Sequence, residues 1–124
     1  MPLLALTLPM WIPLSGCKPE REEPMRRFQV RGADLQHGRK LMAQYQCGSC
    51  HVVPEVAAAG SPIAPTLEAF GRRAYIAGQL PNTPDNLQRW LLDPPAEVPG
   101  TTMPKLGLSE DDARDIAGYL MSLK

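Results

Sequence analysis

Cys47-Gly48-Ser49-Cys50-His51 is the stretch on which the reading of this 124-residue chain turns. Cys-x-x-Cys-His is the attachment signature of a c-type haem. Two thiols three residues apart lie on one side of a single helical turn. From there each can form a thioether to one of the two vinyl groups of a haem. The next residue, His51, is then held at the iron as the proximal ligand. Attachment is covalent, so the surrounding pocket need not retain the cofactor by packing alone.

Three other chemistries use paired cysteines. A structural zinc site takes four side-chain ligands, usually as two pairs. Outside the motif the chain offers only Cys17 and His37 as Cys or His ligands. A thioredoxin-like Cys-x-x-Cys belongs beside a βαβ pattern, and no Val/Ile-rich strand runs are present. A Cys47–Cys50 disulfide accounts for the thiols before haem is attached but leaves His51 without a role.

Working outward, the folded domain is read as residues 32–124. Asp34 is a fair N-cap for a first helix, on which Leu35, Gly38, Met42 and Tyr45 recur at three- and four-residue spacing. Gly38 costs helix stability relative to Ala, which a close helix crossing would explain. His37 lies beside this stripe and reads as a solvated helix residue. Residues 52–82 are broken by Gly60, Pro62, Pro65, Gly71, Gly78 and Pro81 and read as loop with one short helical turn. Thr83 and Pro84 open the next helix as N-cap and first position. Leu87, Trp90 and Leu91 form its apolar face, and Asp93-Pro94-Pro95 ends it. The last helix opens at Ser109-Glu110-Asp111-Asp112, with acids at the positive helix end. Ile116, Ala117 and Leu120 mark its buried face, with Tyr119 and Met121 flanking. No internal repeat is present, and no segment reads as transmembrane.

A six-coordinate haem needs a second ligand opposite His51. Met103 sits in the Gly100-Thr101-Thr102-Met103-Pro104 loop between the last two helices. Its soft neutral sulfur favours ferrous iron and raises the potential, and Pro104 stiffens the loop. Met121 and Met42 are rivals already explained by helix packing. His37 as ligand would give a bis-histidine haem of lower potential.

Composition agrees with a small cofactor-dependent domain. Net charge is zero with histidines neutral, which gives no reason to expect nucleic-acid binding. Seven Lys/Arg against four Asp/Glu precede the motif, and six against nine follow it. The charge is therefore dipolar. Aromatic residues make up only 6% and there are 14 prolines, so a large apolar cofactor would supply much of the buried surface.

Residues 1–16 are uncharged and mostly apolar, too short to span a bilayer comfortably. They end in Leu14-Ser15-Gly16-Cys17, which resembles the lipobox of bacterial lipoproteins. That resemblance implies cleavage after Gly16 and a lipidated Cys17. A secretory leader ordinarily opens with positive charge, and Met1-Pro2-Leu3 carries none. Residues 17–31 follow as the lipidated Cys and a charged, Pro-punctuated tether. Lipidation and haem attachment agree on the periplasmic side of a bacterial membrane. The alternatives are an apolar arm with an incidental cysteine and a soluble periplasmic protein.

Over residues 32–124 the chain resembles a class I cytochrome c. A helix, the Cys47–His51 motif, Pro65-Thr66-Leu67, the Met103-Pro104 loop and a closing helix come in that family's order. Within it, Gly78-Gln79-Leu80-Pro81-Asn82-Thr83-Pro84, Asn86-Leu87, Trp90-Leu91, Asp93-Pro94 and Pro99-Gly100 resemble the cytochrome c domain fused to subunit II of some bacterial haem–copper oxidases. Too few cysteines and histidines remain to build the copper site of such a subunit. The resemblance implies an all-α fold of about four helices around one covalent haem c. It implies a hydrogen bond from His51 Nδ1 to the Pro65 carbonyl. It implies Gly38 and Tyr45 meeting the last helix near Gly118 and Tyr119. Propionates would be held by some of Arg72, Arg73, Trp90, Thr101 and Thr102. From the residues alone, Arg72 and Arg73 read equally as a solvated pair, and Trp90 as core packing.

The function so implied is one-electron transfer by a membrane-anchored carrier. Its partners would be a quinol-oxidising complex or dehydrogenase as donor and a terminal oxidase as acceptor. A second reading is a haem peroxidase or small-gas sensor in which Met103 dissociates. A third is a thiol-based redox or haem-handling protein with Cys47 and Cys50 free.

Overall fold

Asp34 caps the first helix as its position in the sequence predicts, its carboxylate accepting from the His37 N–H at 2.9 Å. The computed structural model in which this is seen describes residues 28–57 and 62–124. The expected leader, Cys17 and the tether up to residue 27 lie outside the described residues. Val30, within the expected tether, already packs on the core.

Among the described residues there are four α-helices: α1 (Leu35–Gln44), α2 (Pro84–Leu92), α3 (Pro94–Glu97) and α4 (Glu110–Ser122). Single turns of 3₁₀-helix occur at Cys47–Ser49 and Phe70–Arg72. A similarly small ribbon pairs β1 (Tyr75–Ile76) with β2 (Leu80–Pro81) antiparallel, Tyr75 opposite Pro81 and Ile76 opposite Leu80. Ala77 and Gly78 turn the ribbon with φ of 48° and 70°, and the Gln79 N–H returns to Ile76 O at 3.0 Å. Two successive positive φ values are the hairpin geometry that glycine favours.

Caps set the other helix starts. Thr83 accepts from Asn86 N with proline at the first position of α2. Ser109 accepts from Asp112 N, with Glu110, Asp111 and Asp112 in the first turn of α4. The Asp93-Pro94-Pro95 stop ends α2 as expected. The same residues then start α3, because Asp93 is its N-cap and a proline is tolerated where no helical N–H bond is required.

Helix α4 is the hub, packing against α1, α2 and the Phe70–Arg72 turn. Tyr119 and Met121, expected to flank its buried face, are themselves buried at 6% and 3% exposure. On α1 the buried residues are Gly38, Leu41 and Met42, while Leu35 is exposed. The α1–α4 crossing lies about one turn from where the resemblance put it. A Cβ on Gly38 would meet Asp115 and Ile116, a Cβ on Gly118 would meet Ala33 and Leu35, and Tyr45 Oη donates to Asp112 at 2.7 Å. Gly71 lies as close to the end of α4, its N–H bonding Leu123 O at 2.8 Å. No helix among the described residues is long and apolar enough to cross a membrane.

Candidate haem site

The Cys47–His51 segment is presented by a sharp break in the chain. Tyr45 caps α1, and Gln46 turns into the left-handed region at φ 57°. That conformation costs a non-glycine residue on the order of 1 kcal/mol. The 3₁₀ turn then curls tightly, with Cys50 N at 3.2 Å and His51 N at 2.9 Å from Cys47 O. The Cys50 carbonyl accepts from Ile63 and Ala64 N–H, and the Val52 carbonyl from Leu67 N–H. These bonds draw the Pro62–Leu67 segment across the motif.

That segment fixes the histidine. His51 Nδ1 lies 2.7 Å from the Pro65 carbonyl oxygen. A carbonyl only accepts, so Nδ1 carries the proton and Nε2 is left with a free lone pair. This is the tautomer a metal ligand needs.

Cys47, Cys50, His51 and Pro65 line a cavity of about 300 Å³, together with Met103, Arg73, Trp90, Thr101 and Thr102. Met42, Leu67, Phe70, Ile76, Leu87, Leu91 and Leu120 make its apolar wall. Two sulfurs beside a fixed imidazole, a thioether, apolar walls and a few polar groups suit a large flat apolar ring with anionic substituents. The residues present therefore fit a haem.

The Met103 loop is braced from within and without. Gly100 takes φ 87°, the Thr101 N–H bonds Val98 O at 3.1 Å, and the Thr101 hydroxyl accepts from Met103 N at 3.2 Å. Two residues on, Lys105 Nζ reaches Asp93 Oδ2 at 2.6 Å. The Lys105 hydrogen bond holds the Asp93 carboxyl below its ordinary value.

Two residues weighed as haem contacts stand elsewhere. Arg72 is exposed and does not line the cavity; its neighbour Arg73 does. Consecutive residues leaving a 3₁₀ turn point in different directions, which the sequence pair did not resolve. His37 is at the α1–α4 crossing, Nδ1 2.8 Å from Oδ2 of buried Asp115. It is thus a partner for a buried carboxylate, not simply a solvated residue. Burial alone would raise the Asp115 carboxyl. Hydrogen bonds from His37 and the Asp34 N–H, with Arg114 alongside, outweigh this and leave it below the ordinary value.

Met42 is 1% exposed and lines the cavity as well as packing α1, a dual role its periodicity did not show. Ile76 and Leu87 were likewise unassigned to the site. Their apolar character is the visible signal, but nothing in their spacing separates cavity wall from plain core. Burial pushes the Cys47 thiol up to about 11, so it is neutral at physiological pH and a poor redox nucleophile. No group of three or more His, Cys, Asp or Glu arranged to hold a metal ion occurs among the described residues.

Comparison with known proteins places this geometry. The family model for cytochrome c matches residues 35–124. The chain is 33% identical over 115 residues to cytochrome c oxidase subunit 2 of Alkalihalophilus pseudofirmus, which covers 92% of this chain and 30% of that one. It is 37% identical over 93 residues to the Bacillus subtilis protein of the same description, covering 70% and 26%. It thus spans under a third of the length of these two relatives. Cytochrome c-552 of Bradyrhizobium diazoefficiens is 35% identical over 92 residues, covering 74% of this chain and 77% of that one. The fold is similar to that of cytochrome c2 from Rhodobacter sphaeroides, with a TM-score of 0.55 at 22% identity, covering 73% and 96%.

Proposed function

Since the chain belongs to the cytochrome c family of electron-transfer proteins, whose covalent haem c falls to Cys47 and Cys50 here, we propose that it is a one-electron carrier with His51 and Met103 as axial ligands. The observation that carries this reading is the pairing of His51 and Met103 on one cavity, with the histidine locked in its ligating tautomer by Pro65.

The haem supplies one-electron exchange when bound. The chain's residues supply the rest. Pro65 holds the proton on His51 Nδ1 and so aims Nε2 at the iron. Thr101 fixes the backbone of Met103, whose sulfur favours the ferrous state. Arg73, Trp90, Thr101 and Thr102 are the propionate partners, and the apolar wall excludes water. With His51 and Met103 both supplied by the protein, nothing further would need to bind at the iron. The peroxidase or gas-sensor reading lacks a distal histidine, because His37 is committed to Asp115 at the helix crossing.

The donor is a quinol-oxidising complex or dehydrogenase and the acceptor a terminal oxidase. Similarity to the cytochrome c portion of oxidase subunit 2 supports the acceptor. Cys17, lipidated after removal of residues 1–16, anchors the carrier on the periplasmic side. Confinement to a membrane raises its effective concentration near membrane partners.

The deciding experiment is the visible spectrum, ferric and ferrous, of protein made with haem-attachment machinery. A low-spin spectrum with the weak far-red sulfur-to-iron band is expected. A high-spin spectrum, or a low-spin one without that band, refutes stable Met103 ligation.

A further inference from the structure

Asn82 and Asp115 are the buried polar side chains among the described residues, each 5% exposed. Asp115 is satisfied by His37, Arg114 and the Asp34 N–H. Asn82 has a different economy. Its Nδ2 donates to the carbonyls of Phe70 and Arg73, both at 3.1 Å, and its backbone N–H donates to Ala74 O at 2.9 Å. Its Oδ1 is buried with no hydrogen-bond partner among the described residues. The Nδ2 bonds grip both ends of the Phe70–Arg73 turn.

That turn delivers Arg73. The guanidinium folds back over the Phe70 ring, 5.5 Å from its centroid, and donates through Nη2 to the Thr66 carbonyl. Arg73 brings the one formal positive charge among the described residues lining the cavity. The side chain is constrained by Phe70 and Thr66, and its backbone is held by Asn82 at the Arg73 carbonyl together with the turn's own Arg73 N–H to Phe70 O bond at 3.0 Å.

We propose that Asn82 is a positioning residue that fixes where the Arg73 cation stands in the haem cavity, and through it the reduction potential. This rests on the haem-carrier reading above. Oxidised haem carries one more positive charge than reduced haem, so a nearby cation disfavours the oxidised form and raises the potential. Releasing the turn lets the guanidinium drift toward solvent, and the potential falls.

A double-mutant cycle on the haem-loaded protein tests this, reading the midpoint potential and, separately, the denaturation midpoint. Asn82→Ala and Arg73→Gln should each lower the potential. The double variant should lie no lower than Arg73→Gln alone, although Asn82→Ala still lowers stability in that background. Asn82→Ser, which keeps one donor, should fall between wild type and Asn82→Ala. A wild-type potential in Asn82→Ala, or additive shifts in the double variant, overturns the proposal while leaving the carrier reading intact. Failure of both Asn82 variants to fold with haem would make the residue purely structural and also overturns it. A wild-type protein with no covalent haem or no reversible couple overturns the carrier reading itself.

Discussion

Gly38→Ala adds one methyl group at the tightest point of the fold. The new Cβ would fall inside van der Waals contact of the Asp115 carbonyl oxygen, 2.5 Å from the Asp115 carbonyl carbon and 3.0 Å from Ile116 N. Carbon atoms pack at about 3.5–4.0 Å, so α1 and α4 must part by roughly 1 Å. The obstacle is backbone, which cannot rotate aside as a side chain can. Overpacking costs about 1–3 kcal/mol, and a rigid backbone clash belongs near the ~3 kcal/mol end of that range. Alanine returns about 1 kcal/mol of helix propensity. The net loss is therefore about 2 kcal/mol, which for a domain of this size lowers Tm by roughly 8–16 °C. Thermal and guanidinium unfolding of the haem-loaded protein, followed by far-UV circular dichroism and haem absorbance, measures it. Lys40→Ala, on the exposed side of α1, is the control and should stay within about 0.5 kcal/mol of wild type. A Gly38→Ala protein as stable as wild type would refute the close crossing.

Met103→Ala should keep haem covalently bound, lose the far-red band, lower the potential and admit carbon monoxide to ferrous iron. An unchanged spectrum would shift the assignment to Met42, the other methionine lining the cavity. Cys17→Ser should release the protein from membranes with its haem spectrum unaltered; retention on the membrane would contradict the lipobox reading. Asp115, held below the ordinary carboxylate value of about 3.9, stabilises the fold at neutral pH, and that contribution is lost as pH falls through its folded-state value. Asp115→Asn should therefore be less stable at pH 7 and show a shallower acid limb below about pH 4; superimposable acid limbs in urea titrations would remove Asp115 from the account.

The sequence was most informative where local chemistry decides the outcome. Asp34, Thr83 and Ser109 are caps because their side chains reach N–H groups three residues on, a relation contained in a short window. Pro84 and the Asp93-Pro94-Pro95 stop are equally local. The ribbon at 75–81 escaped because two-residue strands have no periodicity to detect. Arg72 and Arg73 could not be ranked, since the choice depends on which residue leaves the Phe70–Arg72 turn toward the cavity. His37 is exposed, in keeping with a solvated helix residue, but its bond to Asp115 joins residues 78 apart and no local spacing signals it. The same holds for Asn82, whose side chain reaches back to the 70–73 turn, a relation that the Pro-Asn-Thr-Pro segment itself does not signal.

The cavity and the core are one structure. Met42, Leu67, Phe70, Ile76, Leu87, Trp90, Leu91 and Leu120 belong to both. The haem of a cytochrome c is therefore not a guest in a finished pocket here. It completes the packing of a chain with few aromatic residues and much proline. Covalent attachment at Cys47 and Cys50 makes that completion permanent. Two loops frame that cavity: His51 holds the Pro62–Leu67 segment through the Pro65 carbonyl, and Thr101 braces Met103 in the loop that Lys105 ties to Asp93. If His51 and Met103 are the iron ligands proposed above, a substitution that loosens either loop should register in stability and in potential together, because the contacts that close the core would be the same ones that hold the ligands.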